Sequence, residues 1–190
     1  MKAGIGVIIF LLFSIEAFSQ DKRWQPDFAT LQYAGSIGYL NIGAGYKVLK
    51  NKASLSLHYG YVPESKGGEL NVLAARVLFD TYTFRISDKL QFDPLSAGLM
   101  VSYHFGSEFR SRWPAHRYPE GYYWWRTSLR AHLNTQTSLT HKLSGKTLKS
   151  LTYYLDLNAN ELYLASYFQN RKSLNLSEIV KVGYGIRATF

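Results

Sequence analysis

The sequence predicts an all-β protein, an eight-stranded antiparallel up-and-down transmembrane β-barrel. Most of the chain after residue 19 divides into about eight segments in which apolar and polar residues alternate, as in a strand with one apolar face. The segments have the length of about 9–11 residues that a tilted strand needs to cross a bilayer. Membrane barrels carry aromatic girdles at the strand ends. The aromatic residues at these segment ends are Tyr59, Tyr61, Tyr103, Phe105, Tyr123, Trp125 and Phe190.

The apolar faces of the eight segments carry almost no charge, which favours contact with lipid. In chain order they are Leu31, Tyr33 and Ile37; Ile42, Ala44, Tyr46 and Val48; Ala53, Leu55, Leu57, Tyr59 and Tyr61; Leu73, Ala75, Val77 and Phe79; Ala97, Leu99, Val101, Tyr103 and Phe105; Tyr123, Trp125, Leu129, Ala131 and Leu133; Leu151, Tyr153, Leu155 and Leu157; and Val182, Tyr184, Ile186, Ala188 and Phe190.

The opposite faces combine ionisable residues with glycine and serine. In chain order they are Gln32, Ala34 and Ser36; Gly43, Gly45 and Lys47; Ser54, Ser56, His58 and Gly60; Ala74 and Arg76; Gly98, Met100, Ser102 and His104; Trp124, Arg126, Ser128, Arg130, His132 and Asn134; Thr152, Tyr154, Asp156 and Asn158; and Lys181, Gly183, Gly185, Arg187 and Thr189. An eight-stranded barrel is just wide enough for such side chains to fill. We therefore expect these faces to line the lumen. The alternative is a soluble lipocalin-like barrel, whose apolar face lies inside.

The connections test the strand count. An even number of strands with both termini on the periplasmic side predicts short second, fourth and sixth connections. The second, at residues 51–52, and the sixth, around residues 144–146, are short and polar, whereas the fourth, 81–94, is longer than expected. We expect surface loops at 63–69, 106–122 and 159–174, and a tight first connection at 38–41. Residues 161–168 are too apolar for a free loop and are expected to extend or cap the barrel.

The N-terminus has the layout of a secretory signal peptide. A basic start at residues 1–3 precedes an apolar run at 6–15, and small residues at 17 and 19 predict cleavage before Gln20. The run is shorter than the roughly 20 apolar residues of a membrane-spanning helix. We therefore expect residues 1–19 to be a signal peptide, residues 20–190 to be one barrel domain, and the protein to reside in the bacterial outer membrane.

The cysteine count and net charge limit the kinds of anchor and binding partner to be expected. The chain has no cysteine, which excludes a disulfide framework and a lipoprotein anchor, and its formal net charge is +9. Export makes nucleic acid a poor candidate for the acidic partner. Anionic lipid or lipopolysaccharide phosphate is the better candidate, because a basic exported protein meets these groups at the membrane surface.

The two chain ends carry a family resemblance. The signal peptide followed by Gln20, the alternating strands and the final residues 182–190 resemble a small outer-membrane β-barrel protein of the kind common in Bacteroidetes-type bacteria. The resemblance implies that Tyr184, Ile186 and Phe190 are read by the barrel-assembly machinery, with Phe190 at the periplasmic rim. The tract at 118–125 is similar too, with no activity attached to it.

Two Ser-x-His pairs are weak candidates for catalysis. Residues i and i+2 of a strand share a face, so Ser56 could meet His58, and Ser102 could meet His104. Outer-membrane lipid hydrolases are similar in using Ser and His on a barrel, but they place the pair on the lipid-facing side. Here both pairs fall on the lumen face, and Asp156 is the only deep acid that could orient a histidine. Lumen filling is the preferred interpretation, and a lipid A or phospholipid acyl hydrolase is the alternative.

A polar cluster is predicted inside the lumen. Its members are Arg76, Arg126, Arg130, His132 and Arg187. Buried charges must be paired or hydrated, so Asp156 and Glu178 are the expected partners. A structural polar core is preferred over an anion pore, since eight strands leave no open channel. The histidines lack the spacing of a metal site. We expect neither metal nor cofactor.

A surface-binding loop is predicted between the fifth and sixth segments. It interleaves cations and aromatics that could engage lipopolysaccharide or an external glycan, or could form an ordinary interfacial belt. Its candidates are Arg110, Arg112, Trp113, His116, Arg117, Trp124 and Trp125. The sequence thus predicts a monomeric outer-membrane barrel with a structural or surface-binding role. A soluble periplasmic lipid-binding barrel is the second alternative, after the hydrolase.

Overall fold

The computed structural model describes residues 24–66, 68–106 and 128–190. These residues form nine strands, two α-helices and one 3-10 turn (Glu64–Lys66). The strands are β1 (Phe28–Ala34), β2 (Leu40–Val48), β3 (Ala53–Val62), β4 (Leu70–Asp80), β5 (Phe84–Arg85), β6 (Leu90–Phe105), β7 (Leu129–Lys142), β8 (Ser150–Asn160) and β9 (Lys181–Thr189). The helices are α1 (Glu161–Gln169) and α2 (Leu176–Ile179).

Eight of these strands close into a barrel. Each is antiparallel to its neighbours in the order β1, β2, β3, β4, β6, β7, β8, β9, and β9 pairs with β1 to close the ring. The predicted eight-stranded antiparallel barrel is therefore confirmed. The remaining strand, β5, has two residues and pairs with the beginning of β6 beyond the end of β4. This hairpin accounts for the unexpected length of the fourth connection.

Side chains alternate between the two sides of the barrel wall as the sequence predicts. On β3, Leu55 and Leu57 are exposed on the outside, whereas Ser56 and His58 are buried inside. The same alternation holds along β2, β4, β8 and β9. Aliphatic and aromatic residues therefore cover the outside and polar residues fill the inside, the reverse of a soluble lipocalin-like barrel.

One predicted outward residue, Ile37, lies inside instead. The chain leaves β1 at Ala34, whose φ is +60°, and Gly35, whose φ is +90°, so the strand parity ends before Ile37. Its side chain is fully buried in a small apolar cluster with Val72 and Met100. The prediction was wrong because strand alternation was extended through a turn.

Both ends of the barrel domain meet at one rim, here called the terminal rim. The Phe190 amide donates to the Asp27 carbonyl at 2.8 Å, next to the beginning of β1. The tight β2–β3 turn and the β7–β8 connection lie at this rim, as an even number of strands requires. The β2–β3 turn places Leu49, Lys50 and Asn51 at positive φ.

The opposite rim, here called the loop rim, carries the two helices. Asn160 ends β8 and caps α1, because its side-chain oxygen accepts a hydrogen bond from the Tyr163 amide at 2.8 Å. Residues 161–168 are thus helical; of the two expectations for this segment, they do not extend the barrel wall but cap it at the loop rim. Within the described ranges, no helix has both the length and the apolar character needed to cross a membrane.

Candidate functional site

A buried ion pair lies at the middle of the lumen. Arg76 on β4 donates from Nη1 to Asp156 Oδ1 on β8 at 3.1 Å, and both side chains are at most 1% exposed. Asn134 and Asn158 donate to the same carboxylate at 3.5 and 3.0 Å. We call these four residues the central cluster. The polar face of the strands brings them together, because all four positions point inward from three different strands.

Arg187 is held nearer the terminal rim. Its guanidinium stacks on Phe28 at 4.9 Å and on Tyr154 at 5.7 Å from the ring centres. Nη2 donates to Gln136 Oε1 at 3.3 Å, and the Tyr154 hydroxyl donates to Gln32 at 3.2 Å. Aromatic faces accept a cation where water is excluded, so these rings stabilise Arg187, which contacts no carboxylate among the described residues.

Ser56 and His58 form a hydrogen-bonded pair. The distance from Ser56 Oγ to His58 Nε2 is 2.9 Å, and His58 Nδ1 lies 3.3 Å from Asn41 Oδ1. All three side chains are buried in the lumen. The order Ser56, His58 and Asn41 resembles that of a nucleophile, a base and an orienting group. The series faces away from the lipid side, however, and contacts no carboxylate among the described residues.

Ser102 and His104 do not form the second pair that strand spacing suggested. Ser102 Oγ instead contacts His132 Nε2 at 2.8 Å, across from β6 to β7. His104 donates from Nδ1 to the Ser128 carbonyl at 3.4 Å. Register between β6 and β7 sets Ser102 opposite Arg130, which leaves the neighbouring His132 within reach. Pairing across strands therefore prevails over pairing along one strand.

Arg130 contacts the helical cap at the loop rim. Its Nη1 donates to Glu161 Oε1 at 3.1 Å, and Glu161 Oε2 accepts from the Ala131 amide at 3.0 Å. The first residue of α1 is thereby joined to β7. The partners predicted for the arginines were Asp156 and Glu178; Asp156 binds Arg76, while Glu178 instead accepts a hydrogen bond from the Asn175 amide beside α2.

Several predicted site residues lie outside the described ranges. They are Arg110, Arg112, Trp113, His116, Arg117, Trp124, Trp125 and Arg126. Of the predicted lumen cluster, the structure thus places Arg76, Arg130, His132 and Arg187, all facing inward but in separate groups along the barrel axis.

The lumen contains a cavity towards each rim. The loop-rim cavity has a volume of about 220 Å³, and its lining residues are Gly35, Ser36, His104, Arg130, His132, Asn160, Tyr163 and Lys181. The terminal-rim cavity has a volume of about 200 Å³ and contains the Lys47–Asp80 ion pair, 3.2 Å long, together with Arg187. On β8, Asp156 lies between Thr152 of one cavity and Asn160 of the other, so the central cluster separates them.

Metal ligation finds no support in the described residues, where no three His, Cys, Asp or Glu side chains are grouped closely enough to hold an ion.

Sequence reasoning missed Glu161, Asn41 and Gln136 as lumen partners. Gln136 lies on β7 beyond the predicted end of that segment, and β7 continues to Lys142. The alternation of polar residues through Ser138 was the signal that could have extended it.

The fold and lumen together define a closed eight-stranded antiparallel barrel with an apolar exterior and a polar, side-chain-filled interior. No family model matches the chain, and no curated protein matches it either. Two solved structures are similar. Neisserial surface protein A is 16% identical, with a TM-score of 0.43, over 86% of this chain and 94% of that one. The Yersinia pestis outer membrane protein Ail, solved in a phospholipid bilayer nanodisc, is 11% identical, with a TM-score of 0.36, over 86% and 97%.

Proposed function

We propose that this protein is an integral outer-membrane barrel with a structural or surface-binding role. One observation carries the proposal: the outside of the ring is a continuous apolar surface. Leu57 is 56% exposed in the middle of β3, and Leu99 is 57% exposed on β6. Soluble monomers rarely expose a contiguous apolar patch above a few hundred Å². A bilayer removes this conflict, because it covers the apolar wall with lipid.

Export and assembly complete the proposal. Residues 1–19 have the layout of a signal peptide, and an apolar strand ending in Phe190 resembles the signal of the barrel-assembly machinery. The β9 strand pairs with β1 and β8, so it also closes the ring. We infer that the terminal rim faces the periplasm and the loop rim faces the cell exterior.

The lumen supports a closed barrel better than a pore. The central cluster fills the section between the two end cavities, and Arg76 and Asp156 are paired rather than left to attract mobile ions. Side-chain filling is the expected state of an eight-stranded barrel. We propose that the protein functions as a monomer, since the ring leaves no unpaired strand edge.

Surface binding rests on the residues between β6 and β7. That part of the sequence contains Arg112, Trp113 and Arg117, a combination suited to lipopolysaccharide phosphates and acyl chains. Replacing both arginines by alanine is expected to weaken binding of lipopolysaccharide to the purified barrel. Unchanged binding would remove this loop from the proposal while leaving the barrel assignment intact.

The hydrolase alternative has one supporting observation, the hydrogen-bonded series Ser56, His58 and Asn41. Its burial in the lumen separates it from acyl chains that lie outside the wall. Mass spectrometry of lipid A and phospholipids from cells with the intact protein or His58→Ala distinguishes the two. We expect identical acyl patterns; a difference that depends on His58 would favour the enzyme.

Membrane fractionation and heat-dependent gel mobility test the main proposal. We expect the protein in the outer-membrane fraction, resistant to carbonate extraction, and migrating faster unheated than boiled because the closed barrel stays folded in detergent. Recovery only from the soluble periplasm would contradict it and would favour the lipid-binding alternative.

A further inference from the structure

We propose that the loop-rim cavity is a binding site for the phosphoryl group of a small phosphate monoester. The cavity lies inside the ring at the end that carries α1, and its volume is about 220 Å³. That is room for a phosphate with a small organic substituent and too little for a folded peptide. The proposal goes beyond the barrel assignment, because neither a structural role nor lipopolysaccharide binding by the β6–β7 loop requires it.

The lining of the cavity is rich in hydrogen-bond donors. Lys181 at the beginning of β9 brings a cation, and Arg130 brings a second, whose charge is offset by Glu161 at 3.1 Å. The hydroxyl of Tyr163 adds a further donor. No aspartate or glutamate is among the lining residues that the structure describes. This excess of donors fits a ligand with several acceptor oxygens and negative charge.

The wall of the loop-rim cavity includes a buried nitrogen, Nδ1 of His132, without a hydrogen-bond partner among the described residues. His132 is 4% exposed, and its Nε2 is 2.8 Å from Ser102 Oγ, but its Nδ1 has no hydrogen-bond partner among the described residues. When the Ser102 hydroxyl donates to Nε2, the proton of the neutral ring is on Nδ1. A buried N–H without an acceptor costs about 1–3 kcal/mol. A phosphate oxygen in the cavity would provide that acceptor.

The first turn of α1 borders the same cavity. Asn160 and Tyr163 line it, and Asn160 Oδ1 is already occupied by the Tyr163 amide, which leaves the Asn160 amide group as a donor. The N-terminal end of a nine-residue helix carries partial positive charge. Glu161, the first residue of α1, offsets both the helix end and Arg130, so Lys181 and the Nδ1–H of His132 carry the preference for an anionic ligand.

Lys181→Gln is the variant that tests the site with least risk to folding, because Lys181 is exposed at a strand end. Lys52→Gln is the matched control, since it removes the same charge from an exposed turn at the opposite rim. The protein is purified from membranes in detergent and titrated with inorganic phosphate by calorimetry in 0.15 M salt, which screens diffuse surface charge.

We expect saturable binding of phosphate to the unaltered protein. Lys181→Gln should weaken it about two- to fivefold, the range for one exposed charge pair, and Lys52→Gln should leave it unchanged. His132→Leu should weaken it about tenfold or more, because leucine has no hydrogen-bond donor to offer the phosphate oxygen. Heat-dependent gel mobility verifies that each variant is a folded barrel. Absence of saturable binding to the folded protein, or equal weakening by the two lysine variants, would overturn the proposal.

A second titration distinguishes the source of the phosphoryl group. Glycerol 3-phosphate represents a soluble monoester, and phosphatidic acid in nanodiscs represents a lipid headgroup. Competition by glycerol 3-phosphate supports a soluble ligand entering from the loop rim, whereas competition only by phosphatidic acid supports a headgroup. Failure of both to compete with inorganic phosphate would overturn a monoester ligand, and it would leave the membrane assignment untouched because gel mobility and fractionation report on that separately.

Discussion

The Arg76–Asp156 pair has the clearest consequence of any contact in the lumen. Both charges are removed from solvent, and the carboxylate also accepts from Asn134 and Asn158. Burying one charge without its partner is far more costly than burying the pair. The pair therefore couples β4 and β8 across the lumen, although these strands are not neighbours in the ring.

Asp156→Ala should destabilise the barrel by about 3–5 kcal/mol, because Arg76 would remain charged and buried without its partner. The double variant Arg76→Met/Asp156→Ala should recover much of that loss. Urea unfolding of the protein refolded into lipid vesicles, followed by tryptophan fluorescence, measures both. If the double variant loses as much stability relative to the unaltered protein as Asp156→Ala and Arg76→Met lose together when measured singly, the two residues act independently.

Ile37 and Ile42 provide a second test at the scale of one residue. Ile37 is fully buried with Val72 and Met100, whereas Ile42 is 54% exposed on the outer face of β2. Ile37→Ala should cost about 2–5 kcal/mol by opening an internal cavity. Ile42→Ala should cost less, since detergent can fill the space left outside. Equal losses in unfolding free energy would indicate that Ile37 does not pack inside.

Individual contacts were the least predictable part of the site. Strand parity correctly places Ser102 and His132 on the inner face, but the contact between them depends on the register of β6 against β7. Nothing in one strand's own sequence specifies that register. The turn at Ala34 and Gly35 was also not predictable from alternation, because both residues adopt positive φ and a period-2 pattern does not report where a strand ends in this way.

The strands themselves were predictable because one physical rule governs them. A wall with lipid-like surroundings on one side and a filled lumen on the other forces apolar and polar residues to alternate. The rule fails where the wall is interrupted. The register of β6 against β7 shifts between Asp93 and Ser96. This break includes Pro94, whose nitrogen carries no hydrogen and cannot donate a hydrogen bond to the neighbouring strand. Residues 161–169 follow no period-2 rule, since they form a helix above the wall.

An arginine placed on the outer wall should test whether a bilayer surrounds the barrel, because the cost of burying its charge depends on its depth in the bilayer. Leu57→Arg lies in the middle of β3, and Leu49→Arg lies in the β2–β3 turn; both leucines are more than half exposed. In vesicles, Leu57→Arg should cost about 2–4 kcal/mol and Leu49→Arg about 0–1 kcal/mol, because the penalty for a charge falls towards the interface. A soluble barrel would tolerate both equally, so equal unfolding free energies in vesicles would contradict membrane insertion.

At the scale of the whole molecule, four described cations inside the ring are each held by a carboxylate or by aromatic rings. Lys47 pairs with Asp80, Arg76 with Asp156 and Arg130 with Glu161, while Arg187 stacks on aromatic rings. These contacts are distributed from the terminal rim to the loop rim. Side chains of the central cluster fill the section between the two end cavities, so we expect any binding function at the rims.

Planar-bilayer conductance tests whether the central cluster closes the lumen to ions. The unaltered protein should give no stable current steps, because the central cluster separates the two end cavities. Arg76→Ser/Asp156→Ser shortens both side chains at that constriction and should produce measurable current. Lys47→Ser/Asp80→Ser removes a pair of the same net charge at the terminal rim and should remain silent, since the constriction is unchanged. Steps from the unaltered protein would show that the lumen conducts, and a silent Arg76/Asp156 variant would mean that other inward side chains close it.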